Sequence, residues 1–223
     1  MARSIIGAAF VSLDGVMQAP GGPEEDPSGG FAYGGWLEPL GDEALEGCIG
    51  ALFGGDFALL LGRRTYDIFS GYWPYIPHDN PISASFAKAQ KYVLTSSDAP
   101  LAWSGSHRLA ELDALATVKQ GDGPDLVIQG SSSLYPQLVA RGLLDRLVMI
   151  IAPVVLGSGK KLFGADGGAQ TFKLADHQIG SRGIICATYD GVGPIETGTF
   201  DDGTVRPSAQ ELERRKRISD GSW

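Results

Sequence analysis

The amino-acid sequence predicts an α/β fold, with a mostly parallel central sheet, an antiparallel C-terminal edge and flanking helices. Three observations predict it. Short, wholly apolar runs, which are typical of strands buried on both faces, recur along the chain. Segments with the helical spacing of apolar residues separate most of these runs. The last two long strand candidates have no helix between them, which indicates antiparallel pairing at that edge.

The strand candidates are bounded by glycine, proline or polar turn residues. The first, residues 4–11, ends at the turn that begins with Ser12, and the second, residues 57–61, is the apolar run FALLL. Further strands are predicted at residues 91–94, 125–128, within 143–155, at 170–174, at 183–189 and at 197–200.

Helices are predicted between the strands, and one more in the C-terminal tail. Asp42 is a candidate N-cap for a helix that runs through Leu52. Further helices are predicted after Gly62, at residues 83–89 and 109–119, from the serine-rich turn to Arg141, and at 207–218. The composition changes at Asp201, so we expect a main domain at residues 1–200 and a tail at 201–223.

A long segment rich in glycine and proline, from Gln18 to Gly35, separates the first strand from the first helix. Loops of this length without secondary structure are uncommon inside a compact domain and are often functional. Two interpretations remain open at this point. The segment is either a flap over a binding site or a surface excursion.

The composition excludes several classes of function. The net charge is -8 and the pI is about 4.8, so the surface repels nucleic acid and anionic lipid. No apolar stretch is long enough to cross a bilayer, and the two cysteines show neither a disulfide framework nor metal-ligand spacing. The N-terminus enters a strand directly, without a signal-type segment, so the expected location is the cytoplasm.

Three strand ends carry residue types that suit an anionic ligand. Ligands of such sheets bind where the carboxyl ends of strands meet loops and helix N-termini. Glycine permits close backbone approach, arginine offers a cationic fork, and hydroxyl groups donate to phosphate without bulk. The residues are Gly62, Arg63, Arg64 and Thr65 after the second strand, Thr95, Ser96 and Ser97 after the third, and Gly130, Ser131, Ser132 and Ser133 after the fourth. A surface salt-bridge pair and ordinary helix caps are the alternative interpretations.

The sequence shows no apparatus for hydrolysis. It contains neither a G-x-G-x-x-G nor a Walker motif. His78, His107 and His177 stand in no recognisable triad and are predicted as surface or turn residues. The absence of a nucleophile with its base fits a reaction in which a bound cofactor performs the chemistry.

Several motifs resemble the dihydrofolate reductase superfamily, in the same order along the chain. They are Ser12-Leu13-Asp14-Gly15-Val16, Leu61-Gly62-Arg63-Arg64-Thr65-Tyr66, Leu94-Thr95-Ser96 and Gln129-Gly130. Residues 142–145 and 151–163 resemble the reductase domain of the bifunctional riboflavin-biosynthesis deaminase-reductase. Together the resemblance covers about residues 1–200.

This resemblance implies NADPH as the cofactor, hydride transfer to a small-molecule substrate and, usually, a homodimer. By it, Arg63, Arg64 and Thr65 would hold phosphates, and Thr95 and Ser96 would face the adenosine 2′-phosphate. Residues from Gly130 to Leu134 would hold the pyrophosphate, and Gln129 and Ser97 complete the predicted cofactor site.

Departures from the family pattern bear on the substrate. The helix carboxylate that holds and protonates the pterin in true dihydrofolate reductases falls at Glu46, with Glu43 one turn earlier on the same face. A solvated helix carboxylate is the alternative interpretation, and a water would then supply the proton. Ala89 and Ile150 replace the expected folate-contacting arginine and threonine. We therefore expect a small heteroaromatic or ribosyl-pyrimidine-like substrate, and not dihydrofolate.

The remaining candidate residues surround the predicted substrate. Asp14 is predicted at the catalytic end of the site with Glu46, and Trp36, Phe69, Tyr72 and Trp73 are predicted to contact the substrate. Core or flap packing is the alternative role of these aromatic rings. A nucleotide-binding protein that keeps the cleft but performs no turnover is the rival class of function.

Overall fold

The computed structural model describes residues 2–77, 79–164, 167–200, 204 and 206–222. His78, predicted on the surface or in a turn, and residues 201–203, 205 and 223 of the tail lie outside the described residues. The described part of the chain forms one eight-stranded sheet and six α-helices.

The order of the elements follows the alternation that the sequence predicts. The strands are β1 (Ile5–Ser12), β2 (Ala58–Gly62), β3 (Lys91–Leu94), β4 (Ser106–Leu109), β5 (Leu126–Gln129), β6 (Arg146–Ala152), β7 (Thr171–Ile179) and β8 (Ile185–Gly193). The helices are α1 (Glu43–Phe53), α2 (Arg63–Ser70), α3 (Pro81–Lys88), α4 (Leu112–Gln120), α5 (Leu134–Ala140) and α6 (Ala209–Ser219). Short 3₁₀ helices span Ser28–Gly30, Glu38–Leu40 and Trp73–Tyr75.

The strand order in the sheet is β4-β3-β2-β5-β1-β6-β8-β7. The pairs from β4 to β6 are parallel, whereas β6 with β8 and β8 with β7 are antiparallel. The predicted fold class, a mostly parallel sheet with an antiparallel C-terminal edge, is confirmed. The carboxyl ends of β3, β2, β5 and β1 therefore lie side by side at the same end of the strands.

Two details of the predicted secondary structure are wrong. Strand β4 was not predicted, because it holds a single buried apolar residue, Leu109, and pairs only with β3 at the sheet edge. The strand predicted at residues 197–200 is absent, since these residues pair with no strand among those described. Gly198 lowers the strand preference of this segment, and Phe200 is fully exposed, so no buried face stabilises a strand there.

The sheet is buried on both faces near its centre. All five residues of β2 are buried, and their side chains alternate between two core clusters. Ala58 and Leu60 pack on the side of α4 and α5, whereas Leu59 and Leu61 pack on the side of α2 and α3. This two-sided burial explains why β2 is continuously apolar.

An aromatic cluster joins α1, α2 and α3 to the sheet. The ring of Phe86 lies 5.1 Å from Phe53, 5.9 Å from Phe69 and 4.9 Å from Trp73, measured between centroids. Most of these pairs are edge-to-face, the arrangement that aromatic quadrupoles favour. The cluster anchors α2, whose N-terminus lies at the carboxyl end of β2.

Lys91, the N-terminal residue of β3, is a buried lysine. Its side chain is 0% exposed, and Nζ donates to the carbonyl oxygens of Ala87 and Ser104 and lies 4.3 Å from the ring centroid of Trp103. Burial lowers the pKa of Lys91 to about 8. The charged form is therefore tolerated in the folded protein only with the help of these partners.

We predict that the wild-type protein gains stability relative to the Lys91→Met variant as the pH rises through about 8 towards 10.5. Over this range the unfolded lysine binds more protons than the folded one, so the free energy of unfolding rises with pH, by roughly 3 kcal/mol. Urea unfolding at pH 7, 9 and 10.5 measures it. The exposed Lys88→Met is the matched control, and a wild-type-to-variant difference that is constant with pH would contradict the prediction.

Candidate active site

The carboxyl ends of β3, β2, β5 and β1 border a cleft of about 710 Å³. This size lies within the range of small-molecule and cofactor sites, about 300–1,000 Å³. The junction of β2 with α2 (residues 62–65, here called the turn after β2) lines it, as do the turns that follow β3 and β5. The predicted site residues that line the cleft are Gly62, Arg63, Arg64, Thr65, Thr95, Ser96, Gln129, Gly130, Ser131, Ser132, Ser133, Leu134 and Phe69. Parallel pairing of neighbouring strands is what brings these separate segments together.

Two hydrogen bonds tie the turn after β2 to the turn after β5. The backbone N–H of Gly62 donates to Oγ of Ser131 over 2.9 Å, and the N–H of Ser131 donates to Oγ1 of Thr65 over 3.0 Å. Ser131 and Gly130 both adopt positive φ, of 57° and 73°. This backbone conformation turns the chain back towards α2, and the two hydrogen bonds hold it there.

The two arginines at the start of α2 have different surroundings. Arg63 donates to Oδ2 of Asp67 over 3.0 Å and to the carbonyl oxygen of Ala99 over 2.8 Å. Arg64 is exposed to the cleft and forms no ion pair or hydrogen bond with the described residues. The N-cap of α2, Gly62, supplies no side-chain cap. An uncapped helix N-terminus beside an unpaired guanidinium is suited to an anion.

The turn after β3 presents hydroxyl groups to the cleft. Oγ1 of Thr95 accepts the N–H of Ser97 over 3.1 Å, which closes a tight turn at Ser96. Arg108, on β4, pairs with Asp98 and donates to the carbonyl oxygen of Ser96. Thr95 and Ser96 line the cleft, whereas Ser97 does not.

The segment from Gln18 to Gly35 lies over the cleft and forms part of its wall. Gln18, which is only 5% exposed, organises it. Its Nε2 atom donates to the carbonyl oxygens of Asp26 and Ser28 over 2.8 and 2.9 Å, and its Oε1 atom accepts the N–H of Lys160 over 3.0 Å. Nζ of Lys160 also pairs with the carboxylate of Asp26. Of the two interpretations, the structure supports a flap.

The flap residues of the cleft were not among the predicted site residues. Gln18, Glu25 and Asp26 line the cleft, as do Lys160 and the apolar Phe10 near the end of β1. Their contacts join positions about 140 residues apart, so no local spacing announces them. The one available signal was the length of the segment itself.

Asp14 stabilises a turn and does not line the cleft. Its Oδ1 accepts the hydroxyl of Ser12 and the N–H of Leu156, and its Oδ2 accepts the N–H of Gly157. These hydrogen bonds, that from Ser12 first, lower the pKa of Asp14 to about 2. Asp14 lines a second, smaller pocket of about 350 Å³ on the other side of the β1 end.

The carboxylates of α1 also lie outside the cleft. Glu46 is exposed on the first turn of α1 and is not among the residues that line it. Glu43 accepts hydrogen bonds of 2.7 Å from the backbone and the hydroxyl of Ser181. Both residues are placed where they stabilise the N-terminus of α1.

Of the four predicted substrate-contacting rings, only Phe69 lines the cleft. Trp36 is buried beneath the flap, and its Nε1–H donates to the carbonyl oxygen of Gln18 over 2.8 Å. Trp73 belongs to the aromatic cluster around Phe86. Tyr72 is exposed and packs edge-on against Trp73.

Comparison with known proteins assigns the family. The model of the RibD C-terminal domain matches residues 3–186, which is most of the chain. The chain belongs to the RibD C-terminal domain family. The uncharacterized protein YyaP of Bacillus subtilis (strain 168) is 26% identical to this RibD C-terminal domain protein over 140 residues, covering 59% of this chain and 72% of that protein.

Solved structures share the fold of this RibD C-terminal domain protein at low sequence identity. A putative riboflavin biosynthesis protein from Shewanella sp. PV-4 is 19% identical, with a TM-score of 0.63, over 86% of this chain and 99% of that one. A pyrimidine reductase-like protein from Corynebacterium diphtheriae is 19% identical, with a TM-score of 0.54, over 85% and 92%.

Dihydrofolate reductase from Enterococcus faecalis, solved in complex with NADP(H) and RAB-propyl, is also similar. It is 14% identical, with a TM-score of 0.52, over 88% of this chain and 100% of that one. The fold is therefore dihydrofolate-reductase-like, and family and fold together support a reductase-type role.

In the described part of the chain, no helix combines the length and the apolar character needed to span a membrane. The same residues contain no group of three or more His, Cys, Asp or Glu side chains arranged to hold a metal ion.

We predict that Gly130→Ala destabilises the protein by about 2 kcal/mol, through backbone strain and crowding together. A Cβ at Gly130 would lie 3.0 Å from Cγ2 of Thr65, and φ is already +73°. Gly142→Ala is the matched control, because φ is +62° and nothing lies within 4 Å. It should cost about 1 kcal/mol, from strain alone.

Urea unfolding of both variants measures the two losses. Thr65→Ser removes the crowded methyl group and keeps the hydroxyl that Ser131 needs, so it should recover the excess loss of Gly130→Ala. Equal losses at both glycines, or no recovery with Thr65→Ser, would show that crowding against Thr65 is not important.

Proposed function

We propose that this protein is an NADPH-dependent reductase that acts on a small heteroaromatic or ribosyl-pyrimidine-like compound. The observation that carries the proposal is the convergence of three phosphate-suited turns on one cleft, with Arg64 unpaired among the described residues. The phosphates of a dinucleotide need several anion contacts spread along one groove, and the carboxyl ends of these strands offer them. Family membership supports the same conclusion.

The residues of the cleft fit the cofactor. The uncapped N-terminus of α2 and Arg64 would hold phosphate, and the Gly130 turn would lie against the pyrophosphate together with Ser132. Thr95 and Ser96 would face the adenosine 2′-phosphate. When bound, the reduced nicotinamide supplies a hydride to the substrate, and the protein orients both partners and excludes water.

The other half of the cleft would hold the substrate. Phe10, Met17 and Phe69 give it apolar surface, and the flap residues Gln18 and Glu25 add polar groups. Flat rings with ring nitrogens suit such a mixture of apolar and hydrogen-bonding surface. Ile150, in the place of the pterin-contacting threonine, is buried in the core, which disfavours folate.

A binding protein without turnover is the second candidate. The observation that favours it is that Glu46 and Asp14, the predicted catalytic carboxylates, do not line the cleft. Tight binding of NADPH without oxidation across a panel of heteroaromatic compounds, including 5-amino-6-(5-phosphoribosylamino)uracil, would favour this candidate. Oxidation of NADPH with any member would favour the reductase.

We predict that NADPH binds more tightly than NADH and that Arg64→Met weakens NADPH binding by about 10-fold. Loss of charge-assisted hydrogen bonds to phosphate at a partly exposed site has this magnitude. Arg63→Met is the matched control and should weaken binding less, because Arg63 is already engaged by Asp67 and Ala99. Nicotinamide fluorescence titrations measure the affinities.

Each possible result of this titration is informative. Unchanged NADPH affinity in Arg64→Met would contradict the phosphate role of Arg64. If neither NADPH nor NADH binds to the wild-type protein, the reductase function is wrong.

We also propose a homodimer formed through the face of the sheet that α4 and α5 leave uncovered. Met149 and Ile151 of β6 are only partly buried there, beside Ile185, which pairs with Ile151 and is 37% exposed. Leu13 and Phe163, exposed by 62% and 43%, border the same face at the second pocket. A contiguous apolar patch of this kind is typical of an interface. Residues 201–223, with α6, would be a tail that the dimer does not require.

We predict that Ile185→Glu converts the dimer to a monomer, because a charge at the centre of the apolar face must be desolvated on association. Sedimentation equilibrium measures the mass. Ile195→Glu, at an exposed residue outside the strands, is the matched control and should remain dimeric, as should a chain that ends at residue 200. Dissociation of the shortened chain would instead assign the interface to the tail.

A further inference from the structure

We propose that Glu25, in the flap, is the proton donor of this site. The proposal rests on the reductase function proposed above and names the residue that completes it. In true dihydrofolate reductases the proton-donating carboxylate lies on the first long helix, whereas here Glu43 and Glu46 of α1 do not line the cleft. The reduction of a polar double bond needs a proton as well as a hydride, so another group must supply it.

The position of Glu25 suits this role. It lines the cleft, and its Oε2 atom accepts the backbone N–H of Gly21 over 2.7 Å, which holds the carboxyl group in place within the flap. The flap itself is fixed by the hydrogen bonds of Gln18 and by the ion pair of Lys160. A proton donor must be held within reach of the substrate, and an ordered flap provides that.

Two other carboxyl groups line the cleft, and both are less suited. Asp26 is committed to Lys160 and to the hydroxyl of Ser28. Although burial opposes it, the hydrogen bond from Lys160 holds the pKa of Asp26 below its usual value, so Asp26 remains ionised. Glu111 is exposed and follows β4, which lies four strands away from β1 in the sheet.

The surroundings of Glu25 favour its protonated form. Burial raises the pKa of Glu25, and the negative charge of Asp26 adds to this, while the N–H groups of Gly21 and Gly22 act in the opposite direction. The nearest cation of the flap network, Lys160, is paired with Asp26. Arg64 also lines the cleft, but it belongs to the turn after β2, where the phosphates would bind.

The proton balance of the step is simple. The substrate carbon of a C=N or C=O group accepts the hydride, and the π electron pair moves to the heteroatom. The O–H bond of Glu25 breaks, its proton joins that heteroatom, and the electron pair stays on the carboxylate. A proton from solvent then restores the acid before the next turnover.

The test compares Glu25→Gln with Glu24→Gln. Glutamine keeps the oxygen that accepts from Gly21 and the volume of the side chain, but it has no acidic proton to release. Glu24 is the exposed neighbour in the flap and does not line the cleft, so it is the matched control.

The first readout needs no substrate. Carboxyl ¹³C NMR of glutamate-labelled protein is followed against pH, and the Glu25 signal is identified by its absence in Glu25→Gln. We expect it to titrate at higher pH than the other glutamates. Titration together with the exposed glutamates would overturn the proposal, because the group would then be ionised when it is needed.

The second readout is kinetic, with NADPH and 5-amino-6-(5-phosphoribosylamino)uracil, or the compound of the panel that is reduced fastest. We expect Glu25→Gln to lower kcat by about 10²-fold and to abolish the fall of kcat/KM at high pH, with NADPH affinity unchanged. Glu24→Gln should behave as the wild type.

The two proposals fail in different ways. If Glu25→Gln turns over at the wild-type rate and with the wild-type pH profile, the role of Glu25 is wrong and the reductase function still stands. A wild-type protein that oxidises NADPH with no compound of the panel overturns the reductase function, and the proton donor with it.

Discussion

The site depends on the hydrogen bonds that join the turn after β2 to the turn after β5. Gly62 and Ser131 are 69 residues apart in the chain, yet the N–H of one donates to the hydroxyl of the other. Ser131 holds a left-handed backbone conformation, which costs a non-glycine residue roughly 1–2 kcal/mol. The two buried or partly buried hydrogen bonds contribute a similar amount and offset this strain. Parallel pairing of β2 with β5 brings the start of α2 and the Gly130 turn close together, and these hydrogen bonds fix how the two segments face each other.

The flap uses the same principle on the other side of the cleft. A segment rich in glycine loses considerable conformational entropy when it is ordered. The flap buries Ala19 and Phe31 in a core cluster, and polar contacts add to this packing. The side-chain amide of Gln18 donates to backbone carbonyls later in the flap and accepts the backbone N–H of Lys160 from a distant segment. The backbone carbonyl of Gln18 accepts the Nε1–H of Trp36. One buried polar side chain, with both donors and its acceptor engaged, thus helps to order a segment that forms neither an α-helix nor a strand.

The sequence predicts the sheet and the three phosphate-suited turns because the signals are local. An apolar run followed by Gly62 or Gly130 is readable within a few residues, and parallel pairing then brings the turns together. The same reasoning misplaces Glu46 and Trp73, since helix spacing says which residues share a face but not whether that face meets the cleft or the core. The flap residues escape prediction for a related reason. The role of Lys160 depends on a carboxylate more than 130 residues earlier in the chain, and β4 is held by backbone pairing that leaves no apolar pattern.

Charge pairing at the flap explains how the pKa values of two adjacent carboxyl groups can be shifted in opposite directions. Glu25 and Asp26 are neighbours in sequence, and both line the cleft. Lys160 pairs with Asp26 alone, so one carboxyl receives the neighbouring cation while the other receives burial and the charge of its neighbour. Because the two pKa values are shifted in opposite directions, the ion pair determines which of the two carboxyl groups binds a proton more readily. The backbone N–H of Lys160 is itself held by Gln18, so the residue that orders the flap also helps to position the cation that pairs with Asp26. A proton donor can therefore move from a helix to a loop in this fold only if a scaffold orders the loop and a cation pairs with the neighbouring carboxyl group. Here Gln18 orders the flap, and Lys160, from a distant segment, pairs with Asp26.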